Sequence, residues 1–110
     1  MDDELVAQGR YARLVTTGRR SGLPRTVTVG FIERPDGAID VAARPGAHWA
    51  ENLFDTPTCT VTIHARTWNA IAEPLEGVEF ARAIRDQILR YGTPAEDLGL
   101  GAAFRLRPAG

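Results

Sequence analysis

One short polar stretch, residues 16–25, holds most of the side chains in this chain that could bind a charged ligand. It separates two apolar runs and contains three arginines, three hydroxyl side chains and two glycines: Arg19, Arg20, Arg25, Thr16, Thr17, Ser21, Gly18 and Gly22. Backbone N–H groups, hydroxyl donors and guanidinium forks at one spot are the chemistry that binds a phosphate or a carboxylate. The stretch therefore predicts an anion site, and its simpler interpretation is a polar hairpin turn.

Other reactive side chains are few. The chain has two histidines, His48 and His64, and a single cysteine, Cys59. A structural zinc site takes about four ligands, so no metal site is predicted. Cys59 alternates with apolar residues and is expected to be a small buried hydrophobe. His64 is expected to be an exposed residue at a strand end.

The length and charge of the chain narrow the class of protein. With 110 residues, the chain is expected to form a single domain over residues 1–110. The 13 basic and 14 acidic residues nearly cancel, which argues against a nucleic-acid partner. One cysteine excludes an internal disulfide, and no apolar run approaches the roughly 18–20 residues of a membrane span. We expect no stable membrane insertion and a cytoplasmic location.

The elements that must position these residues are predicted to be antiparallel strands and two helices. Six strands are predicted, at residues 11–17, 25–33, 38–43, 58–64, 67–74 and 102–107. The turn at 34–37 predicts that the first three form a meander. A short helix is predicted at 46–54 and an amphipathic helix at 76–91, ended by Gly92, Thr93 and Pro94. The fold class is mainly β (α+β), and the pattern indicates either a small barrel or an α+β sheet.

The polar stretch closely resembles a family motif. Residues 16–25, Thr-Thr-Gly-Arg-Arg-Ser-Gly-Leu-Pro-Arg, are similar to the Thr-Thr-Gly-Arg-(Lys/Arg)-Ser-Gly-x-x-Arg motif of the deazaflavin-dependent nitroreductase/quinone reductase family. Supporting features follow in matching order: Val41-Ala42-Ala43, His48-Trp49-x-x-Asn52-Leu53, Asp55-Thr56-Pro57 and a helix that ends at Tyr91. The resemblance spans roughly residues 11–107.

The resemblance implies a split β-barrel that binds the deazaflavin coenzyme F420. It implies an F420-dependent reductase that transfers a hydride to a small electrophile: a quinone, a nitro compound or an activated enone. Arg19, Arg20, Ser21 and Arg25 would hold the anionic phosphate and glutamyl tail, with Thr17 and Gly18 in the same cofactor-binding set. Ala42, Ala43 and Arg44 would line the deazaflavin, and His48, Trp49 and Asn52 would pack near it. Tyr91 would face the substrate and is the catalytic candidate.

Some residues depart from the family pattern. Position 44 is arginine, where many members carry serine, and Pro45 follows it and removes a backbone donor. The loop from Arg44 to Trp49 is shorter than usual, and the N-terminal helix of larger members is expected to be truncated or absent. Two alternatives stay open: an FMN-binding split-barrel oxidoreductase, and a non-enzymatic binder of a fatty-acid-like ligand. A monomer or a homodimer is expected.

Overall fold

The computed structural model describes residues 2–92 and 98–109 of the chain, which form seven strands and three helices. The strands are β1 (Ala12–Thr17), β2 (Pro24–Val29), β3 (Ile32–Glu33), β4 (Ile39–Ala43), β5 (Thr58–Ile63), β6 (Arg66–Pro74) and β7 (Ala102–Pro108). The helices are α1 (Asp2–Ala7), α2 (His48–Asp55) and α3 (Gly77–Tyr91). None of the helices in these ranges is long and apolar enough to cross a membrane. Thr93 and Pro94, expected to help end the second predicted helix, lie outside the described residues.

All seven strands belong to one antiparallel sheet in the order β2-β1-β5-β6-β7-β4-β3. β2 and β3 follow each other along the chain but lie at opposite edges, and only Gly30 and Phe31 separate them. A flat sheet would hold the two edges roughly 29 Å apart, whereas three peptide units reach only about 11 Å. The sheet therefore curls until its edges meet, which confirms the predicted mainly β split barrel.

The predicted meander of the first three strands is confirmed in its two antiparallel pairings, but its middle strand is not continuous. The predicted strand 25–33 breaks at Gly30 and Phe31, so that β2 pairs with β1 while β3 pairs with β4. The cause lies in α3. The Tyr91 hydroxyl accepts a hydrogen bond from the Phe31 N–H at 3.0 Å, and a Cβ on Gly30 would lie 2.8 Å from the Tyr91 ring. The backbone here pairs with a helix end instead of a strand, which raises the strand number from about six to seven.

The barrel interior is a continuous apolar core. Its most deeply buried members come from several strands and include Leu14, Val41, Val61, Phe104 and Leu106, none of which is measurably exposed. Every residue of β4 is buried, because the barrel core covers one of its faces and α3 covers the other. This packing fixes the position of β4, which borders the functional site.

The contact of α3 with the sheet includes an ion network. Asp40 of β4 is 1% exposed, and Arg105 of β7 donates to both of its carboxylate oxygens, at 2.9 and 3.2 Å. Arg105 also donates to Glu79 of α3 at 2.8 Å. A charge buried this deeply needs such compensation. The network therefore stabilises the packing of α3 against β4 and β7.

The apolar face of α3 is confirmed in part. Ile84 is buried and Phe80 and Ile88 pack beside it, as the helical spacing predicts. Two other apolar residues of α3, Val78 and Leu89, are exposed, at 68% and 76%.

Candidate functional site

The predicted polar stretch forms the hairpin that joins β1 to β2. Thr17 pairs with Pro24, and the Gly18 N–H donates to the Leu23 carbonyl oxygen at 2.9 Å to close the turn. Ser21 stiffens the tip because its Oγ accepts the Leu23 N–H at 3.1 Å. Gly22 has a φ of +70°, a conformation that favours glycine. The anion-binding candidates therefore sit on an ordered loop at the barrel seam.

Asn52 of α2 fastens this hairpin to the barrel. Its side chain is 3% exposed, and its Oδ1 accepts hydrogen bonds from the backbone N–H and the Nη1 of Arg19, at 3.1 and 3.2 Å. Its Nδ2 donates to Thr16 Oγ1 at 3.2 Å. The amide is thereby engaged at both ends within the protein. Asn52 positions the loop in this arrangement and has little capacity left for a ligand.

The three arginines of the loop are not equivalent. Arg19 Nη2 lies 2.8 Å from Glu51 Oε2 and 3.5 Å from His48 Nδ1, so the charge of Arg19 is already compensated. The guanidinium groups of Arg20 and Arg25 are exposed and have no hydrogen-bond or ion-pair partner among residues 2–92 and 98–109. These two cations are available to an anion.

A cavity of about 560 Å³ opens between the hairpin and α2. It is lined by residues of the hairpin, the start of β2 and α2: Gly18, Arg19, Arg20, Ser21, Arg25, Thr26, Val27, Ala47, His48, Trp49 and Asn52. Eight of the predicted cofactor-binding residues lie here. We call it the first cavity; it is cationic at the hairpin and apolar towards Trp49.

A second cavity of about 380 Å³ adjoins the first and shares Val27, Ala47 and Trp49 with it. It lies at the seam of the barrel, between β2 on one side and the end of β4 on the other. β3 pairs with β4 only at Asp40 and Ile39, so no strand among the described residues covers β4 at residues 41–43 on that side. Ala42, Ala43 and Arg44 line the second cavity here, where the resemblance places the deazaflavin.

Tyr91 borders the second cavity from the end of α3. Its hydroxyl is engaged with the backbone: it accepts from the Phe31 N–H and lies 2.9 Å from the Arg10 carbonyl oxygen. Burial raises the pKa of Tyr91 above the usual value, so the hydroxyl stays protonated at neutral pH. The Tyr91 side chain therefore presents its ring, more than its hydroxyl, to the second cavity. The catalytic role of Tyr91 stays a prediction.

One predicted site residue lies apart from the rest. Thr17 borders a different cavity, with Gly22 and Cys59. Burial raises the pKa of the Cys59 thiol to about 11, so the thiol is an unreactive neutral group at physiological pH. Among the described residues, no three His, Cys, Asp or Glu side chains converge closely enough to hold a metal ion.

Sequence reasoning missed several residues of the second cavity, among them Tyr11, Gly30 and Gln87. Gln87 is 2% exposed and lies on the buried face of α3 with Ile84. A polar residue within an apolar helical stripe is a signal that the sequence alone contains. Tyr11 carries no such signal, because only the closed barrel brings its ring to 5.2 Å from the Tyr91 ring.

The fold and the site together define a seven-stranded split barrel with a two-part cleft at its seam. The family model described as F420H(2)-dependent quinone reductase matches residues 5–95, and the chain belongs to this family. The family match confirms the resemblance seen in the motif, and it confirms F420 as the cofactor of the family. A search of curated proteins finds no match.

Solved structures support the fold. The "F420-H2 Dependent Reductase (FDR-A)" is 25% identical, with a TM-score of 0.76 over 89% of this chain and 94% of that one. HutZ, a heme storage protein from Vibrio cholerae, is 21% identical, with a TM-score of 0.78 over 98% and 87% of the two chains. A putative pyridoxamine 5'-phosphate oxidase from Listeria innocua is 17% identical, with a TM-score of 0.71 over 99% and 94%. The last two likenesses concern the fold alone.

Proposed function

We propose that this protein is an oxidoreductase that uses reduced F420 to transfer a hydride to a small electrophile, namely a quinone, a nitro compound or an activated enone. The observation that carries the proposal is a continuous two-part cleft. One end presents the guanidinium groups of Arg20 and Arg25, which pair with none of the described residues, and the other end is walled mainly by apolar residues of the barrel seam. The family assignment supports the coenzyme.

The residues of the first cavity fit the anionic tail of F420. That tail carries a phosphodiester and an oligoglutamate, and guanidinium groups bind phosphates and carboxylates through two parallel hydrogen bonds. Arg20 and Arg25 would hold the tail, with the Ser21 hydroxyl as a further donor. Arg19 would act through the position of the hairpin, since Glu51 and Asn52 already engage its side chain.

The apolar middle of the cleft fits a flat ring system. When bound, the reduced deazaflavin supplies the hydride. Trp49, Val27 and Ala47 line both cavities, so they would pack against the ring and orient it towards the second cavity. The backbone at Ala42 and Ala43, next to Arg44, would border the ring, and His48 would cover the exposed side of the first cavity.

The second cavity would hold the electrophile beside the coenzyme. Its apolar residues would exclude water from the reacting face, and the Tyr91 ring would limit the depth to which the substrate enters. The Tyr91 hydroxyl is engaged with the Arg10 and Phe31 backbone. We therefore assign the proton that completes the reduction to solvent.

The proposal is tested by an assay in which oxidation of the coenzyme depends on reduction of an added substrate. Purified protein is mixed with reduced F420 and, in separate assays, with 2-methyl-1,4-naphthoquinone, a nitroarene or a cyclic enone. The proposal expects protein-dependent return of the oxidised coenzyme's visible absorbance with at least one acceptor. Arg20→Ala/Arg25→Ala should lose this activity at low coenzyme concentration. The control Arg82→Ala/Arg85→Ala, which removes the same charge from the outer side of α3, should keep it. No turnover with any acceptor, although F420 binds, would contradict the proposed reaction.

The alternatives have distinct outcomes. Tighter binding of FMN than of F420 would favour a flavin oxidoreductase in the same barrel. A fatty acid that purifies with the protein would favour the non-enzymatic binder. The cytoplasmic location and the choice between monomer and homodimer stay predictions.

A further inference from the structure

Gln87 places one unsatisfied polar atom at the wall of the second cavity. The residue is 2% exposed and borders this cavity from α3. Its Nε2 donates to the Gly30 carbonyl oxygen at 3.3 Å and lies 3.5 Å from the Asp40 carbonyl oxygen. Because both neighbours are acceptors, only the NH₂ end of the amide can face them. The amide orientation is thereby fixed, and Oε1 must point the other way.

Oε1 accepts no hydrogen bond within the described part of the chain. It is also not sealed off, because Trp68 Nε1 is the single fully occluded side-chain atom there that lacks a partner. Only a glycine allows this close approach, because a Cβ on Gly30 would lie 3.0 Å from Oε1 and 2.8 Å from the Tyr91 ring, and both Gly30 and Gln87 line the second cavity. Oε1 is therefore an oriented acceptor that opens into the cavity.

The surroundings of Oε1 are mostly apolar. Val29, Ala42 and Ala43 line the same cavity, and the Tyr91 hydroxyl is already engaged with the backbone. A ligand that fills this space removes water from Oε1. If the ligand offers no donor there, a buried acceptor is left unpaired, which costs binding free energy. A ligand with an N–H or O–H at that point avoids this cost.

We propose that Gln87 is a specificity-determining residue whose Oε1 accepts a hydrogen bond from an N–H or O–H group of the ring bound in the second cavity. The inference rests on the proposed function. Two ring systems supply such a donor: the imide N–H of the deazaflavin, and an amino or hydroxyl group of the electrophile. A donor-bearing ring is preferred over a donor-free ring of the same shape.

The experiment compares Gln87→Met with the unmutated protein and with Gln8→Met, the same substitution at an exposed position that lines neither cavity. One arm measures the Kd for oxidised F420. The other arm measures kcat/KM for 2-amino-1,4-naphthoquinone and 2-methyl-1,4-naphthoquinone, a matched pair in which only the first has a donor. Gln87→Met should change one of these readouts by about three- to tenfold. A weaker Kd identifies the coenzyme imide as the donor, and a loss of preference for the amino compound identifies the substrate.

A second variant replaces the amide of Gln87 but keeps an oxygen at the wall of the second cavity. Gln87→Glu retains an oxygen facing the cavity when its carboxyl group is protonated, because its other oxygen can face the Gly30 and Asp40 carbonyl oxygens only as an O–H donor. It should keep the preference that Gln87→Met loses. If both variants bind and discriminate like the unmutated protein, or if both lose affinity to the same extent, the proposal is overturned.

A further measurement uses only the unmutated protein, so its result does not depend on whether a variant folds. Calorimetry should show that methylation of the deazaflavin imide nitrogen, or replacement of the amino by the methyl naphthoquinone, weakens binding by about three- to tenfold. Equal binding within both pairs would overturn the proposal. Failure of the unmutated protein to bind F420 would contradict the proposed function instead, and the naphthoquinone pair would still decide the role of Gln87.

Discussion

Single side chains at the cleft divide into those that are free to meet a ligand and those already engaged by the protein. Arg20 and Arg25 have no partner among the described residues, while Arg19 is paired with Glu51 and bonded to Asn52. The sequence motif treats the three arginines alike, because sequence order does not reveal which guanidinium meets a carboxylate from α2. The structure gives each a separate role and makes those roles testable.

Tyr91 provides a prediction at this scale. In Tyr91→Phe the ring remains but the Phe31 N–H loses its acceptor, so the free energy of unfolding should fall by about 1–2 kcal/mol. Because the hydroxyl is turned to the backbone, kcat should stay within about twofold of the unmutated value. Urea denaturation and steady-state kinetics measure the two effects. A large loss of kcat with unchanged stability would instead show that the hydroxyl acts on the substrate.

The hairpin and α2 act as one unit at the scale of elements. The sequence predicts both elements, and α2 is observed at 48–55 against a prediction of 46–54. Their contact could not be predicted, because Asn52 and Arg19 are 33 residues apart and meet only when the sheet curls. The same reason explains why the break at Gly30 was missed: nothing in the local pattern shows that the Tyr91 ring lies against it.

Asn52 tests whether α2 positions the hairpin. Asn52→Ala removes three hydrogen bonds and leaves a buried hydroxyl and a backbone N–H without their partner. Stability should fall by about 1–3 kcal/mol, and the Kd for F420 should rise although the guanidinium groups of Arg20 and Arg25 are intact. Asn52→Asp keeps the two bonds from Arg19 and should retain most of the affinity. Equal F420 affinity in Asn52→Ala and the unmutated protein would contradict the positioning role.

At the scale of the whole molecule, the closure of the sheet determines where the site forms. Because β2 and β3 lie at opposite edges, the cleft forms where the barrel fails to seal, and α3 closes one end of that seam. The mainly β class, six predicted strands that cover all seven observed ones, and both predicted helices followed from local patterns. Strand order and the two cavities did not, because they depend on contacts between residues far apart in the sequence.

The ion network between α3 and the barrel predicts a pH dependence of stability. The hydrogen bond and charge of Arg105 hold the pKa of Glu79 below its usual value. A carboxyl group whose pKa is lower in the folded state stabilises the fold above its unfolded pKa. That contribution is lost as the pH falls through the folded value.

Unfolding midpoints should therefore decrease below about pH 4.5, the region of the unfolded glutamate pKa. Glu79→Gln should flatten this decrease, and Glu76→Gln, at an exposed neighbouring position, should not. Parallel pH profiles for the unmutated protein and Glu79→Gln would show that the network adds nothing to stability at neutral pH.

The central claim is that an F420-binding cleft runs from Arg20 and Arg25 to the barrel seam. The most direct measurement is a fluorescence titration of the purified protein with oxidised F420, with FMN as the competing cofactor. We expect saturable binding of F420, weaker binding of FMN, and a Kd raised at least about tenfold in Arg20→Ala/Arg25→Ala but unchanged in Arg82→Ala/Arg85→Ala. Failure to bind F420, or equal affinity in the two double variants, would contradict the account.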